Sequence, residues 1–314
     1  MKSPDRSRVI RRTWQILGLT LLFCSLGGTP TDAQKTTKDL NQLIQDLGNP
    51  DWLIRNQAAT ELGKLKDPQA VPALIKALQD SKGYVRRRAA SALGAINDSR
   101  AVEPLIQALK DPEGYVRCKV VIALTRFKDP RSVEPLLERL KDKDSEVRTE
   151  AARSLGKIGD RRAVQPLIST MQDDKEEVRR AAIIALGKMK DPRTVEALIA
   201  ALKDEKASIR RRAAVSLGET PDSRAEEVLL QALKKENLEV IAGAHAFYIR
   251  RGEPGSEMLL IKALQEYGYI RMAENFSNCG NPALAEAGRN WAQKQGIKIR
   301  PAEASKPIHW GSQK

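Results

Sequence analysis

Several residue types are scarce in this 314-residue chain, and each scarcity closes off a class of function. Histidine occurs twice, as His245 and His309. Metal chemistry built on clustered imidazoles therefore lacks its ligands, and no zinc-ligand spacing is present. Aromatic residues make up 4% of the chain. A large globular core usually holds more Phe and Tyr, whereas small, regular helix–helix contacts do not need them. There is no Gly-rich phosphate loop and no nucleophile elbow. Cysteine occurs three times, as Cys24, Cys118 and Cys279. One long apolar run exists, Trp14 to Leu26, and it falls short of the roughly 20 residues that span a bilayer.

That run belongs to a distinct N-terminal segment. Lys2, Arg6, Arg8, Arg11 and Arg12 precede it, and Thr31-Asp32-Ala33 follows as a small-x-small site. The order of charge, apolar run and small-residue site predicts a signal peptide over residues 1–33, cleaved near Ala33, and an exported (periplasmic or secreted) mature chain. The alternative is an uncleaved N-terminal anchor. Arg11-Arg12-Thr13-Trp14 and Leu21-Leu22-Phe23-Cys24 fit twin-arginine and lipoprotein signals poorly, because the flanking residues are wrong and Phe23 is too large.

What the chain has in abundance is repetition. Val71-Pro72-Ala73-Leu74-Ile75-Lys76-Ala77-Leu78 is followed by Val85-Arg86-Arg87-Arg88-Ala89-Ala90-Ser91-Ala92-Leu93-Gly94. The phrase returns at Val102, Val133, Val164 and Val195, 31 residues apart each time. A period in the range of about 20–50 residues makes a fold a stack of units rather than a globule. Within a unit, apolar residues at offsets of 3, 4 and 7 mark one stripe of a helix. Each unit therefore reads as a hairpin, helix A followed by helix B. The predicted fold is all-α: an α-solenoid over residues 34–296, of about eight 31-residue hairpins and a C-terminal capping helix. The units lie near 36–66, 67–97, 98–128, 129–159, 160–190, 191–221, 222–252 and 253–283, the cap at 283–295 and a polar tail at 297–314. The cap is expected to turn Leu284, Ala287 and Trp291 inward. Cys118 and Cys279 lie five units apart. Stacked helices are spaced by about 8–10 Å, and a disulfide needs Cα atoms within about 7 Å, so these two cannot pair within one molecule.

Punctuation recurs with the same period. Asp67, Asp98, Asp129, Asp160, Asp191 and Asp222 precede helix A as N-caps or turn residues. Gly94, Gly156, Gly187 and Gly218 sit late in helix B, where they serve close approach or a C-terminal cap. A structural ladder pairs Asp80, Asp111, Asp142, Asp173 and Asp204 with Arg86, Arg117, Arg148, Arg179 and Arg210, each Arg six residues after its Asp. The two can brace turn backbone and each other, within a unit or across to the next. Neither set points to catalysis.

The Asp…Val-Arg-x-x-Ala-Ala-x-Ala-Leu-Gly signature resembles HEAT repeats of the phycobilisome-lyase-like type, a bacterial kind, over residues 36 to about 252 and more loosely to 296. The resemblance implies a right-handed armadillo-like superhelix with helix B on the concave side and a role in binding proteins. Some members are bilin-lyase subunits, which act in the cytoplasm. Another branch is an iron-dependent deoxyhypusine hydroxylase, which holds two irons with His-Glu pairs on several repeats. Neither His245 nor His309 is followed by Glu, so that branch is disfavoured. His245 occupies an alanine slot of helix B and reads as a packed side chain.

The remaining variation lies on helix B, at positions that core and ladder leave free. Charged residues there are twelve basic and two acidic, a net of +10. The chain carries +14, and the segment 1–33 contributes five basic and two acidic residues, so nearly all of the remaining +11 maps to one face. Helix A surfaces are mixed in sign. The candidate partner-binding residues are Arg87, Arg88, Lys119, Arg126, Arg153, Lys157, Arg180, Lys188, Arg211 and Arg212. Two readings stay open, a solvated face and a curved basic surface for an anionic partner. Aromatic platforms for bases are nearly absent from the face, which disfavours nucleic acid. Tyr267, Tyr269, Phe276 and Trp291 form a candidate secondary patch beside the capping role of the last unit. The expected function is a non-catalytic scaffold or adaptor, with no cofactor and no metal, that holds an acidic exported protein or an envelope component. The alternative is a subunit of a bilin-lyase-like enzyme or another HEAT-repeat enzyme.

Overall fold

The computed structural model describes residues 32–301 and 307–313, with side chains from residue 39. Residues 1–31, with nearly all of the expected signal segment and Cys24, lie outside this range, as do residues 302–306 of the tail. The chain divides into two units, residues 1–42 and 43–314. The first contributes most of helix α1 (Asp32–Asp46). The second carries the repeats.

Every described element is helical. The helix A elements are α3 (Val71–Ala77), α5 (Val102–Ala108), α7 (Val133–Glu138), α9 (Val164–Thr170) and α11 (Val195–Ala201). The longer helix B elements alternate with them: α2 (Trp52–Leu65), α4 (Gly83–Ile96), α6 (Gly114–Phe127), α8 (Ser145–Ile158), α10 (Glu176–Met189) and α12 (Ala207–Glu219). Helices α3, α5, α7, α9 and α11 are each entered through a 3-10 turn whose N-cap is the period aspartate. Asp67 accepts a 2.8 Å bond from the Gln69 N–H, and Asp98, Asp129, Asp160 and Asp191 do the same for the residue two places on. That bond satisfies a donor that no helical carbonyl can reach. Asp98, Asp129, Asp160 and Asp191 also hold the guanidinium two residues later. The Arg193 bond drops the Asp191 carboxyl to about 2.

The helix B glycines serve close approach rather than capping. A Cβ on Gly94 would sit 2.8 Å from Ala123, and one on Gly156 would sit 2.5 Å from the Ala185 Cβ. Chain reversal after α2, α4, α6, α8 and α10 is left to the residue that follows each helix. Lys66, Asn97, Lys128 and Lys190 take left-handed φ of 51° to 62°, and Gly159 takes 77°. The Gly–Ala seams bring successive B helices together as the tightly packed row, with the A helices as the looser one. Between the rows, Val71, Leu74, Val85, Ala89 and Leu93 are fully buried, and so are their period mates in units three to six. Each such Val or Leu contributes about 1.5–3 kcal/mol.

The Asp–Arg ladder runs between units. Arg86 places Nε 2.6 Å and an amino group 2.9 Å from the carboxylate of Asp111, 25 residues on. Its other amino group bonds the backbone carbonyl of Asp80 at 2.8 Å. Arg117–Asp142, Arg148–Asp173 and Arg179–Asp204 repeat this, and Arg55–Asp80 adds a first rung. Each arginine thus closes its own turn and holds the next unit in register. The Arg117–Asp142 rung is the most buried, with side chains 5% and 3% exposed. Burial pulls the Asp142 carboxyl upward, but Arg117 and the Asp144 N–H outweigh it and hold it below its usual value.

The last units depart from this pattern. Helix α13 (Ser223–Lys234) starts on its Asp222 cap without a 3-10 turn. Arg210 finds no aspartate 25 residues on, since that position is Lys235, and bonds Glu239 at 2.9 Å instead. Helix B of unit seven is broken at Ala244 (φ −88°, ψ 15°) into α14 (Leu238–Gly243) and α15 (His245–Arg251). Gly243 permits the approach to α12, because a Cβ there would lie 2.7 Å from the Ala214 Cβ and 2.8 Å from the Arg211 carbonyl oxygen. Three further helices complete the chain: α16 (Glu257–Tyr267), α17 (Ile270–Asn278) and α18 (Pro282–Lys294). Helix α18 buries Leu284, Gly288 and Ala292. Ala287 and Trp291, expected to point inward, are each only half-buried and line the groove beside α16. The i, i+4 stripe through Gly288 wins because that glycine lets the backbone close on Ala273 and Phe276. Residues 310–313 run along α15: Trp310 N–H donates to the Cys279 carbonyl, Gly311 N–H to Ile249 and Gln313 N–H to Arg250, each at 2.9 Å.

Candidate functional site

The free helix B positions lie one, two, five and nine residues beyond each ladder arginine. Arg87, Arg88, Lys119, Arg180, Arg211 and Arg212 are half-buried along the stems, while Lys157 and Lys188 are exposed near the helix ends. Arg153 is ion-paired, one turn from Glu150. The other nine candidate cations form no ion pair among the described residues. The Nε atoms of Arg87, Arg88 and Arg211 are shut off from solvent without a hydrogen-bond partner.

The face is less poor in aromatics than composition suggests. Trp52, Tyr84 and Tyr115 start three successive B helices and stack in a row, with centroids 5.8 and 5.5 Å apart and planes 29° and 22° from parallel. Gly83 makes room, since a Cβ there would collide with the Tyr115 hydroxyl. Arg87 lies 5.7 Å from the Tyr84 ring centre and 6.0 Å from that of Tyr115. Tyr84 remains 52% exposed. The 31-residue spacing of the two tyrosines, each just before Val-Arg, was the available signal. Trp52 is one place out of that register, which hides the row.

At the other end the same face deepens into a cavity of about 450 Å³, enclosed by α10, α12, α14, α15 and α17. Arg180, Arg211 and Arg212 of the expected set line it, joined by Arg250, Arg271 and Tyr269. His245 sits at its base, 3% exposed. The His245 Nδ1–H donates to the Ala242 carbonyl at 2.9 Å, so Nε2 accepts from the Asn275 amide at 2.8 Å. Burial, together with Arg271 and Arg250, lowers this imidazole to about 4, and it is neutral at pH 7. Arg250 gives one amino group to the Gly218 carbonyl at 2.7 Å, and burial lowers its pKa. Arg211 lies 6.0 Å from the Tyr269 ring centre. Arg271 and Asn275 carry no repeat signal, because unit eight has lost the period phrase.

The four residues of the secondary patch do not form one patch. Tyr269 lines the cavity and packs edge-on against His245 at 5.7 Å. Phe276 is fully buried behind His245. Trp291 lies in a shallow groove between α16 and α18, and Tyr267 is half-buried at the end of α16. Cys118 and Cys279 are free thiols, and burial raises both. Among the described residues no group of three or more His, Cys, Asp or Glu side chains could hold a metal ion. No described helix is long and apolar enough to cross a membrane.

A family profile of HEAT repeats matches residues 40–112, 102–182 and 164–250. The chain belongs to the HEAT-repeat family. Repeats of this family typically mediate protein interactions. No curated protein matches this HEAT-repeat chain by sequence. Solved structures resemble it at low identity. The E. coli protein YibA is 20% identical with a TM-score of 0.53, covering 86% of this chain and 100% of its own. An engineered protein is 22% identical with a TM-score of 0.50, covering 80% and 76%. The CpcE–CpcF complex of phycocyanin lyase from Nostoc is similar at 23% identity and a TM-score of 0.45, covering 87% and 98%. The first two support the solenoid fold.

Proposed function

We propose that this HEAT-repeat protein is a non-catalytic scaffold or adaptor that holds an anionic protein partner on its helix B face. The observation that carries the reading is the set of nine candidate cations that form no ion pair among the described residues. Charge left unpaired in a repeating array along one surface focuses potential outward and steers a partner of opposite sign. The A helices provide a contrast within the same molecule. The arginines beside them close pairs with carboxylates, as Arg162 does with Glu134 and Arg224 with Glu196. Together with the N-terminal segment, this favours an acidic exported protein or an envelope component as partner.

The test is capture from an envelope extract by the wild-type chain and by a variant with Arg87, Arg88, Arg211 and Arg212 all changed to Glu. Salt-sensitive capture should disappear in the variant. Equal capture by both would leave the face as solvated surface. The export part is tested separately by mass spectrometry of the chain recovered from cells: a mature N-terminus near Gln34 supports it, and an intact Met1 sinks it.

A further inference from the structure

The cavity at the end of the basic face concentrates charge that its own walls do not balance. Arg180, Arg211, Arg212, Arg250 and Arg271 line it, and Glu219 is the one carboxylate among the lining residues. Arg250 spends one amino group on the Gly218 carbonyl. The other four arginines make no ion pair and no hydrogen bond among the described residues. They come from α10, α12 and α17, so their donors approach from several directions.

A neutral donor joins them. The Tyr269 hydroxyl lies 3.4 Å from His245 Nδ1, but that N–H is already committed to the Ala242 carbonyl. The hydroxyl can therefore only accept from it, and keeps its own proton to give. Asn275 locks the opposite ring nitrogen, which fixes the tautomer. The lining also includes the apolar side chains of Val215, Ala246 and Ile308, the last from the tail that lies along α15, together with Ser208.

We propose that this cavity binds a small phosphate monoester, with its phosphoryl group on the arginines and the Tyr269 hydroxyl and its organic part against Val215, Ala246 and Ile308. A carboxylate is planar, carries one charge and is satisfied by a single guanidinium fork. A phosphoryl dianion has three terminal oxygens and takes charge-assisted bonds from several sides, which is what this arrangement offers. The volume falls within the range of about 300–1,000 Å³ common for small-molecule pockets, and exceeds the needs of a bare phosphate ion. The proposal rests on the basic face being an anion-holding surface and specifies what its closed end takes.

Calorimetric titration of the full chain with phenyl phosphate, inorganic phosphate and citrate tests it. Phenyl phosphate should bind saturably, at least about tenfold tighter than either other anion, since only it uses both halves of the cavity. Tyr269→Phe should weaken it about tenfold with the melting temperature unchanged, and Arg211→Ala with Arg212→Ala should weaken it further. Arg87→Glu with Arg88→Glu, at the far end of the face, should leave it unaltered. Citrate binding as tightly as phenyl phosphate, no saturable binding, or equal loss in the far-end variant would each overturn the proposal. Partner capture separates the two ideas. Salt-sensitive capture without phenyl phosphate binding leaves the scaffold reading standing and the cavity proposal refuted. Tyr269-dependent phenyl phosphate binding with charge-insensitive capture does the reverse.

Discussion

The middle of the stack and its C-terminal end use the same repeat for different ends. From α2 to α10 each ladder arginine holds the next unit's aspartate, each period aspartate caps a short helix A, and glycine seams set the B helices together. In the B helices of these units the ladder arginines are spent in ion pairs, while the cations one and two places on form none among the described residues. In unit seven the partner aspartate is gone, Arg210 turns to Glu239, and helix B breaks at Ala244. The break admits a buried histidine and opens a cavity where arginines from several helices converge. Regularity builds a surface; the loss of regularity builds a pocket.

The largest expected effect comes from the most buried rung. Arg117→Ala should cost about 3–5 kcal/mol of unfolding free energy in denaturant melts, because it leaves the buried Asp142 carboxylate with only a 3.6 Å contact to Arg139 in place of a two-point ion pair. Arg210→Ala should cost clearly less, since that side chain is 28% exposed and its partner sits at the irregular end. Equal costs would erase the distinction between the two regions.

The next effect is a pH dependence confined to the end. The unfolded chain protonates His245 below about 6.5, whereas the folded chain does so only near 4. Between these values the unfolded state binds more protons, so acidification favours unfolding. The stabilisation is complete above pH 6.5 and is lost as pH falls towards 4, by about 3 kcal/mol. Melts of wild type and His245→Gln across this range should differ in slope. Parallel curves would mean that the imidazole is not held neutral.

Smaller effects come from the seams. Gly156→Ala should cost about 1–3 kcal/mol, because its Cβ meets Ala185 at 2.5 Å. Gly218→Ala meets the Phe247 Cβ at 3.1 Å and should cost less. Smallest is the cap of α18: Asn281 accepts from the Leu284 N–H at 3.2 Å, and Asn281→Ala should cost about 1 kcal/mol by thermal melt.

Much of the stack can be read from residues alone. The hairpins, the capping aspartates and the existence of an Asp–Arg ladder come out of a period of 31 and the stripe within it. The direction of each rung does not. Asp80 and Arg86 are six residues apart in sequence, yet their side chains serve different neighbours, because a helix B start faces the following turn as closely as its own. The glycines likewise offered two roles, and only the Gly–Ala contacts decide for close approach. The face was legible in units two to six as unpaired charge. Its aromatic row was obscured by Trp52 lying one place out of register, and its cavity by the loss of the phrase in unit eight.

Local patterning, then, is enough to specify an all-α repeat with a basic stripe, since a 3.6-residue periodicity sorts each side chain to core or surface within its own helix. Which charges are spent and which stay free is a tertiary matter. A guanidinium at a helix B start is neutralised by a carboxylate 25 residues away, while those one and two places later meet none. The cavity is more tertiary still. Arg211, Tyr269 and Asn275 have no common spacing and meet because helix B breaks at Ala244 and the following helices fold back over the break.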